Sequence, residues 1–142
     1  MKTYKLTKED KELIEIAGEI SKKSRKIQNS GETGSALLSK SGKIHKGISL
    51  NIYCGIGTCG EHGAICSLMV DDSNEIDTIV AVYYDRKKNK NIVLPPCGRC
   101  RETMYQINKK NLDCWVILSN TKKVKLHELL PFTWKEIFGE RG

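Results

Sequence analysis

Residues 76–84 read IDTIVAVYY, a run that is almost wholly apolar and rich in β-branched side chains. Strict alternation of apolar and polar positions would mark a strand with one wet face. A continuous apolar run of this length marks a strand covered on both faces, at the centre of a sheet. Working outward, residues 7–27 read as a helix. Thr7 and Asp10 have the spacing of a capping box, and Leu13, Ile14, Ala17 and Ile20 recur at intervals of three and four. Residues 35–38 and 44–50 flank Lys40-Ser41-Gly42-Lys43 and read as a β-hairpin. A second helix is expected over residues 59–70, ended by Asp71-Asp72-Ser73-Asn74. Beyond the central run, Ile92-Val93-Leu94 is a short strand stopped by Pro95-Pro96. Residues 97–110 read as a third helix and 114–118 as another buried strand. Strands alternating with helices after an opening hairpin predict a layered α/β domain with a mixed sheet over residues 1–142.

The bulk properties narrow the function classes. A chain of 142 residues can bury roughly two-thirds of its unfolded surface, so it folds without cross-links. No apolar run approaches the roughly 20 residues a membrane span needs. The opening MKTYKLTKEDKEL has no signal-peptide core, which predicts a cytoplasmic protein with reduced thiols. Its six cysteines (54, 59, 66, 97, 100 and 114) then read as metal ligands and small core residues, not as disulfides. The net charge of +7 is uneven: residues 84–125 carry eleven Lys/Arg against three acids. A basic excess can attract nucleic acid. Its densest part, residues 85–91, lies between two apolar strands without interleaved aromatics, and reads as a solvated turn. No internal repeat or low-complexity linker interrupts the chain.

Two short motifs carry the chemistry. Cys59-Gly60-Glu61 and Pro96-Cys97-Gly98-Arg99-Cys100 each fall where a helix is expected to begin. A helix N-terminus offers free N–H donors and about half a unit of positive charge, which favours thiolates. Three thiolates converging from two such ends can hold Zn²⁺ and leave the fourth tetrahedral position open, as in catalytic zinc sites. Water bound there drops in pKa from about 15.7 towards about 7. Zinc cannot shuttle protons, and Glu61, two residues beyond Cys59, is placed to do so. Such an acid/base is worth about 10²–10⁴-fold in rate.

This Cys-x-Glu with a later Pro-Cys-x-x-Cys resembles the zinc-deaminase signature in its all-cysteine form. The resemblance extends over nearly the whole chain to the cytidine deaminase family, and within it to the branch acting on the antibiotic blasticidin S. Leu13-Ile14-Glu15, Ser35-Ala36-Leu37-Leu38-Ser39, Gly42, Gly47, Asn51-Ile52-Tyr53, Cys97-Gly98-Arg99-Cys100-Arg101 and Glu128-Leu129-Leu130-Pro131 have counterparts there. The resemblance implies a three-layer α/β/α fold with a mixed, mostly five-stranded sheet. It implies hydrolytic deamination of the cytosine ring of a nucleoside or nucleoside antibiotic, with release of ammonia. One zinc per chain would be held by Cys59, Cys97 and Cys100, with Glu61 as the catalytic proton carrier and Asn51, Tyr53 and Gly60 facing the substrate. A homotetramer is also implied. The family usually carries Asn-x-Glu, binding ribose, where this chain has Asn51-Ile52-Tyr53; the tyrosine points to a sugar other than plain ribose. Other departures are Gly60 for alanine, Thr58 for proline, Glu102 for glutamine, and Gly31 where a phenylalanine is usual.

Other readings remain open at this level. A non-catalytic zinc-binding or nucleic-acid-binding domain would want a fourth ligand, for which only Cys54 or His62 is close, and it leaves Glu61 without a role. A thioredoxin-like protein would use Cys97 and Cys100 alone. A polynucleotide or tRNA deaminase needs stacking aromatics, and this chain has two Trp, five Tyr and two Phe, few of them near the motifs. His62 stands where relatives carry an arginine that bonds the thiolates, or is an ordinary histidine. His45 and His127 have no partner at metal spacing and read as ordinary. Cys54, Cys66 and Cys114 read as small buried hydrophobes. Phe132 and Trp134 either pack in the core or close a site.

Overall fold

The computed structural model describes residues 1–71 and 73–134. Residues 135–142 of the expected domain, and Asp72 of the expected helix stop, lie outside the described residues. In chain order the elements are β1 (Tyr4–Lys5), α1 (Lys8–Ser24), β2 (Ser30–Ser39), β3 (Ile44–Leu50), α2 (Gly60–Asp71) and β4 (Ile76–Asp85). They continue with β5 (Lys90–Leu94), α3 (Gly98–Ile107), a 3₁₀ turn (Lys109–Asp113), β6 (Trp115–Ile117), β7 (Lys122–Lys125) and α4 (Leu126–Leu129).

The central run forms β4; from Thr78 its side chains alternate between two apolar layers as the pleat requires, and a register shift at Asp77 returns Ile76 to the face of Ile79. Ile76 and Ile79 join Leu37, Ala64, Ile65, Leu68, Met104 and Val116 on the face covered by α2 and α3. Val80 and Val82 join Leu13, Ile14, Ala17, Ala36 and Ile117 on the face covered by α1. The result is a mixed sheet between helical layers, in the order β1-β7-β6-β4-β2-β3. The pairing of β4 with β6 is parallel and the other strand pairings are antiparallel. One edge of β4 is taken by β2. The other is divided: β6 pairs with Thr78 and Ile79, and β5 pairs from Ala81 to Asp85. That division ends β5 beside the middle of the sheet, where α3 begins.

The capping box is present, with Asp10 N–H donating to Thr7 Oγ1 and Thr7 N–H donating to Asp10 Oδ2. Helix α1 nevertheless ends three residues before the expected Ile27. All five expected strands form, and two more join the sheet. Strand β7 reads Lys-Lys-Val-Lys, too polar to signal a buried strand, yet Lys123 and Val124 are buried. Asp10 explains it: its carboxylate lies 2.7 Å from Lys123 Nζ, and the nearly buried pair neutralises itself. Strand β1 is held by Tyr4, packed edge-on against Trp115 at 4.9 Å. Among the described residues no helix is long and apolar enough to cross a membrane.

Candidate metal centre and active site

The two motifs reach one place by different routes. After β3 the chain makes a loop closed by Leu50 N–H donating to the Thr58 carbonyl at 2.9 Å, with Cys54 (φ 63°) and Gly55 (φ 67°) in the left-handed region at its tip. Cys59 follows directly and α2 starts at Gly60, so the cysteine stands at a helix N-terminus behind a loop and not behind the strand itself. A Cβ on Gly60 would lie 3.0 Å from the Thr33 carbonyl, so the missing side chain lets α2 begin tight against β2. On the other side Pro95-Pro96 ends β5. Cys97 is the N-cap of α3 in extended conformation (φ −69°, ψ 167°). Arg101 pins this turn, its Nε donating to the Pro96 carbonyl at 2.9 Å and its Nη1 to the Leu129 carbonyl at 3.3 Å.

The thiols converge. Cys59 Sγ lies 3.3 Å from Cys97 Sγ, which lies 3.5 Å from Cys100 Sγ, and all three fall within 4.8 Å of one another. Two sulfurs bonded at about 2.3 Å to a tetrahedral zinc stand about 3.8 Å apart, so the trio has the dimensions and the donor softness of a zinc site. Cys54 and His62 do not join the cluster, and all six cysteines are free thiols. Burial pushes the Cys59 and Cys100 thiols up. Burial pushes Cys97 the same way, but hydrogen bonds from the Cys100 backbone N–H, the two neighbouring thiols and the Arg99 backbone N–H outweigh it and draw Cys97 down. Three negative sulfurs at these distances repel strongly without a cation between them, so the protein surroundings alone favour at most one thiolate. The donor set fits a thiophilic divalent metal.

Glu61 points into the same place and is only 4 % exposed. Burial raises its pKa, while the Cys100 thiol and a backbone N–H pull in the opposite direction. A buried carboxyl lifted in this way takes and gives protons more readily than an exposed one. Beside it is a cavity of about 390 Å³, lined by Thr33, Ser49, Asn51, Cys59, Glu61 and Cys97 among others. Gly60 lines it too. Two other depressions lie near the N-terminal strand and α1, of about 600 and 380 Å³, and neither contains a thiol.

The remaining sequence candidates are placed as follows. Asn51 lines the cavity, its backbone N–H donating to the Asn29 carbonyl at 2.8 Å. Tyr53, two residues on, is 89 % exposed and outside the cavity lining. His62 Nδ1 is buried without a hydrogen-bond partner among the described residues. His45 is buried in β3 with Nδ1 3.3 Å from Ser67 Oγ. Cys114 is a core residue as expected, its thiol pushed up to about 12 by burial, whereas Cys54, at the tip of the loop, and Cys66, outside the buried face of α2, are exposed and not the buried hydrophobes expected. Phe132 and Trp134 are also exposed, which removes the core-packing reading within this chain. Sequence reasoning missed Ser49 and Thr33, because neither belongs to a motif and only strand pairing brings them to the cavity.

No protein-family model matches the chain. It is 34 % identical over 146 aligned positions to the blasticidin-S deaminase of Bacillus cereus, covering 94 % of this chain and 98 % of that protein. Its fold is similar to the crystal structures of cytidine deaminase from Mycobacterium leprae (TM-score 0.69, 20 % identity, 89 % of this chain and all of that one). The enzyme from Burkholderia pseudomallei is similar as well (TM-score 0.67, 24 % identity, 91 % of this chain and all of that one). Likeness at this level, along nearly the full length of both chains, makes this protein a member of the cytidine deaminase family and a deaminase of the aminohydrolase type.

Proposed function

We propose that the chain removes the exocyclic amine of a cytosine nucleoside whose sugar is modified, a blasticidin S-like compound before plain cytidine or deoxycytidine. The carrying observation is the three-thiol cluster beside the buried Glu61 at a cavity of about 390 Å³. The likeness to a blasticidin-S deaminase supports the substrate class. Cys59, Cys97 and Cys100 would hold one zinc per chain. When bound, zinc acidifies a water towards a pKa of about 7 and so provides the nucleophile for C4 of the ring. Glu61 takes the proton that the attacking water gives up and places it on ring N3. It then carries the second proton to the departing amine, so that one water is consumed and one ammonia leaves. Its burial keeps bulk water from competing for those protons. Gly60 lines the cavity at the head of α2 and faces the pyrimidine with its backbone, and Asn51 contacts the sugar. A homotetramer is part of this reading, supported by the exposed Leu50, Tyr53, Ile56, Phe132 and Trp134.

Zinc content measured beside ammonia release from a panel of cytosine compounds tests the proposal, with light scattering reading the mass of the same sample. Stoichiometric zinc with turnover of a cytosine nucleoside is expected. Zinc without any turnover would sink the catalytic reading.

Although Tyr53 is exposed and outside the cavity lining, it stands where the family's ribose-binding glutamate is usual, and we propose that it shifts preference away from ribose. Tyr53→Glu should raise the ratio of kcat/KM on cytidine to that on blasticidin S by about tenfold, the scale of one good hydrogen bond to a charged group. An unchanged ratio would place Tyr53 outside sugar recognition.

A further inference from the structure

The cavity of about 380 Å³ beside α1 shares no lining residue with the one beside Glu61. Its apolar lining comes from Leu13 and Ile16 on α1, Leu38 and Ile44 on the β2–β3 hairpin, and Trp115 at the start of β6. Its charge runs against that of the chain. Glu9, Asp10, Glu12 and Asp77 line it with a single ammonium, that of Lys123, in a protein whose net charge is +7.

A bulge builds one wall. Leu38 pairs with Thr78 but Ser39 pairs with Ile76, which leaves Asp77 as an extra residue in β4. Consecutive strand residues ordinarily face opposite sides of a sheet, whereas Asp77 and Thr78 both line this cavity. Thr78 is 4 % exposed and its Oγ1 donates to Asp77 Oδ1 at 2.8 Å.

The buried ion pair leaves an acceptor unused. Asp10 is 4 % exposed, and both of its contacts fall on one oxygen: Oδ2 accepts the Thr7 N–H at 2.8 Å and lies 2.7 Å from Lys123 Nζ. Oδ1 accepts no hydrogen bond among the described residues. Lys123 offsets the charge of Asp10, and Lys40, 3.5 Å from Asp77, offsets that of Asp77. Glu9 and Glu12 have no ion-pair partner among the described residues, so the negative charge at the cavity is uncompensated.

These features select a ligand by elimination. The volume suits a small molecule and not a protein segment. An anion is repelled by Glu9 and Glu12. A neutral apolar molecule covers the apolar lining but leaves a buried carboxylate oxygen unpaired, which is costly. A cation with an apolar body satisfies both, since a charge-assisted bond to a carboxylate is among the stronger hydrogen bonds.

We propose that this cavity is a second ligand site, separate from the deaminase centre, that takes an organic ammonium ion with an apolar body. The ammonium donates to Asp10 Oδ1 in the field of Glu9 and Glu12, and the body packs against Leu13, Ile16, Leu38 and Ile44.

Hexylamine is the probe, titrated calorimetrically into the metal-loaded protein at neutral pH, with hexanol and hexanoate as neutral and anionic controls of the same length. The indole N–H resonance of Trp115, assigned with Trp115→Phe, reports where the probe sits. Hexylamine should bind at least about tenfold more tightly than either control and shift that resonance. Replacing both exposed acids, Glu9→Gln with Glu12→Gln, should weaken it by about 3- to 10-fold without unfolding the chain. Glu61→Gln should bind it like the parent, which separates this site from the catalytic one. Equal affinity for hexylamine and hexanol, unchanged affinity in the double variant, or an unmoved Trp115 resonance overturns the assignment.

Discussion

Replacing Glu61 by glutamine should lower kcat by at least about 10²-fold while zinc content and fold survive, since this is the low end of what a positioned acid/base contributes. Glutamine keeps the size and hydrogen-bonding reach of the side chain and removes only its ability to carry a proton. Nothing in the cluster needs Glu61 as a ligand, because the three sulfurs already converge without it. The stability of the variant provides a second readout. Burial raises the pKa of Glu61 in the folded chain, so the unfolded chain gives up this proton at lower pH than the folded one. The stability linked to that proton is present below the ordinary carboxylate pKa and is lost as pH rises through the raised value. Glutamine never ionises, so Glu61→Gln should melt no lower than the parent at neutral pH. Inactive but undiminished in Tm is the expected phenotype, measured by single-turnover kinetics on metal-loaded samples and by calorimetry on metal-free ones. A variant that turns over its cytosine substrate near the parent rate would make Glu61 structural.

The other large effect is expected on removing a single sulfur. Cys100 is 2 % exposed and sits between Glu61 and the other two thiols. With Cys100→Ala only two sulfurs remain, too few to hold zinc in a site that must also keep a position open. Zinc stoichiometry should fall close to zero and ammonia release to background. Because metal binding adds to folding stability, Tm should also fall in the variant. Two controls make the result specific. Cys114→Ala removes a buried thiol that lies in the core away from the cluster, and should retain both zinc and turnover. Cys54→Ser removes the exposed thiol nearest in sequence to Cys59 and should also leave both unchanged. Loss of zinc in Cys54→Ser would reveal a closed four-sulfur site, which is structural and incompatible with catalysis at the metal.

Much of the layered fold was legible in short segments. The Thr7–Asp10 capping box, the 3–4 stripe of α1, the apolar run of β4 and the proline stop after β5 each act over a few residues, so local periodicity and sterics suffice to place them. The chemistry was legible for a similar reason. A cysteine or Cys-x-x-Cys at a helix start signals its electrostatic role from its own neighbours, and Glu61 follows from its spacing to Cys59. Other features depend on partners far away in the chain. Strand β7 is polar along its length and becomes a buried strand only because Asp10 waits on α1 to neutralise Lys123. The 3.3 Å approach of Cys59 to Cys97 spans 38 residues and requires the divided edge of β4, which no local pattern encodes. Ser49 looks like any strand serine until the bulge at Gly31 turns its hydroxyl into the cavity wall. Residue type and spacing determined which groups could do chemistry and which segments would be helix or strand. Strand register and long-range charge pairing, whose energies exist only once distant segments meet, decided where those groups point.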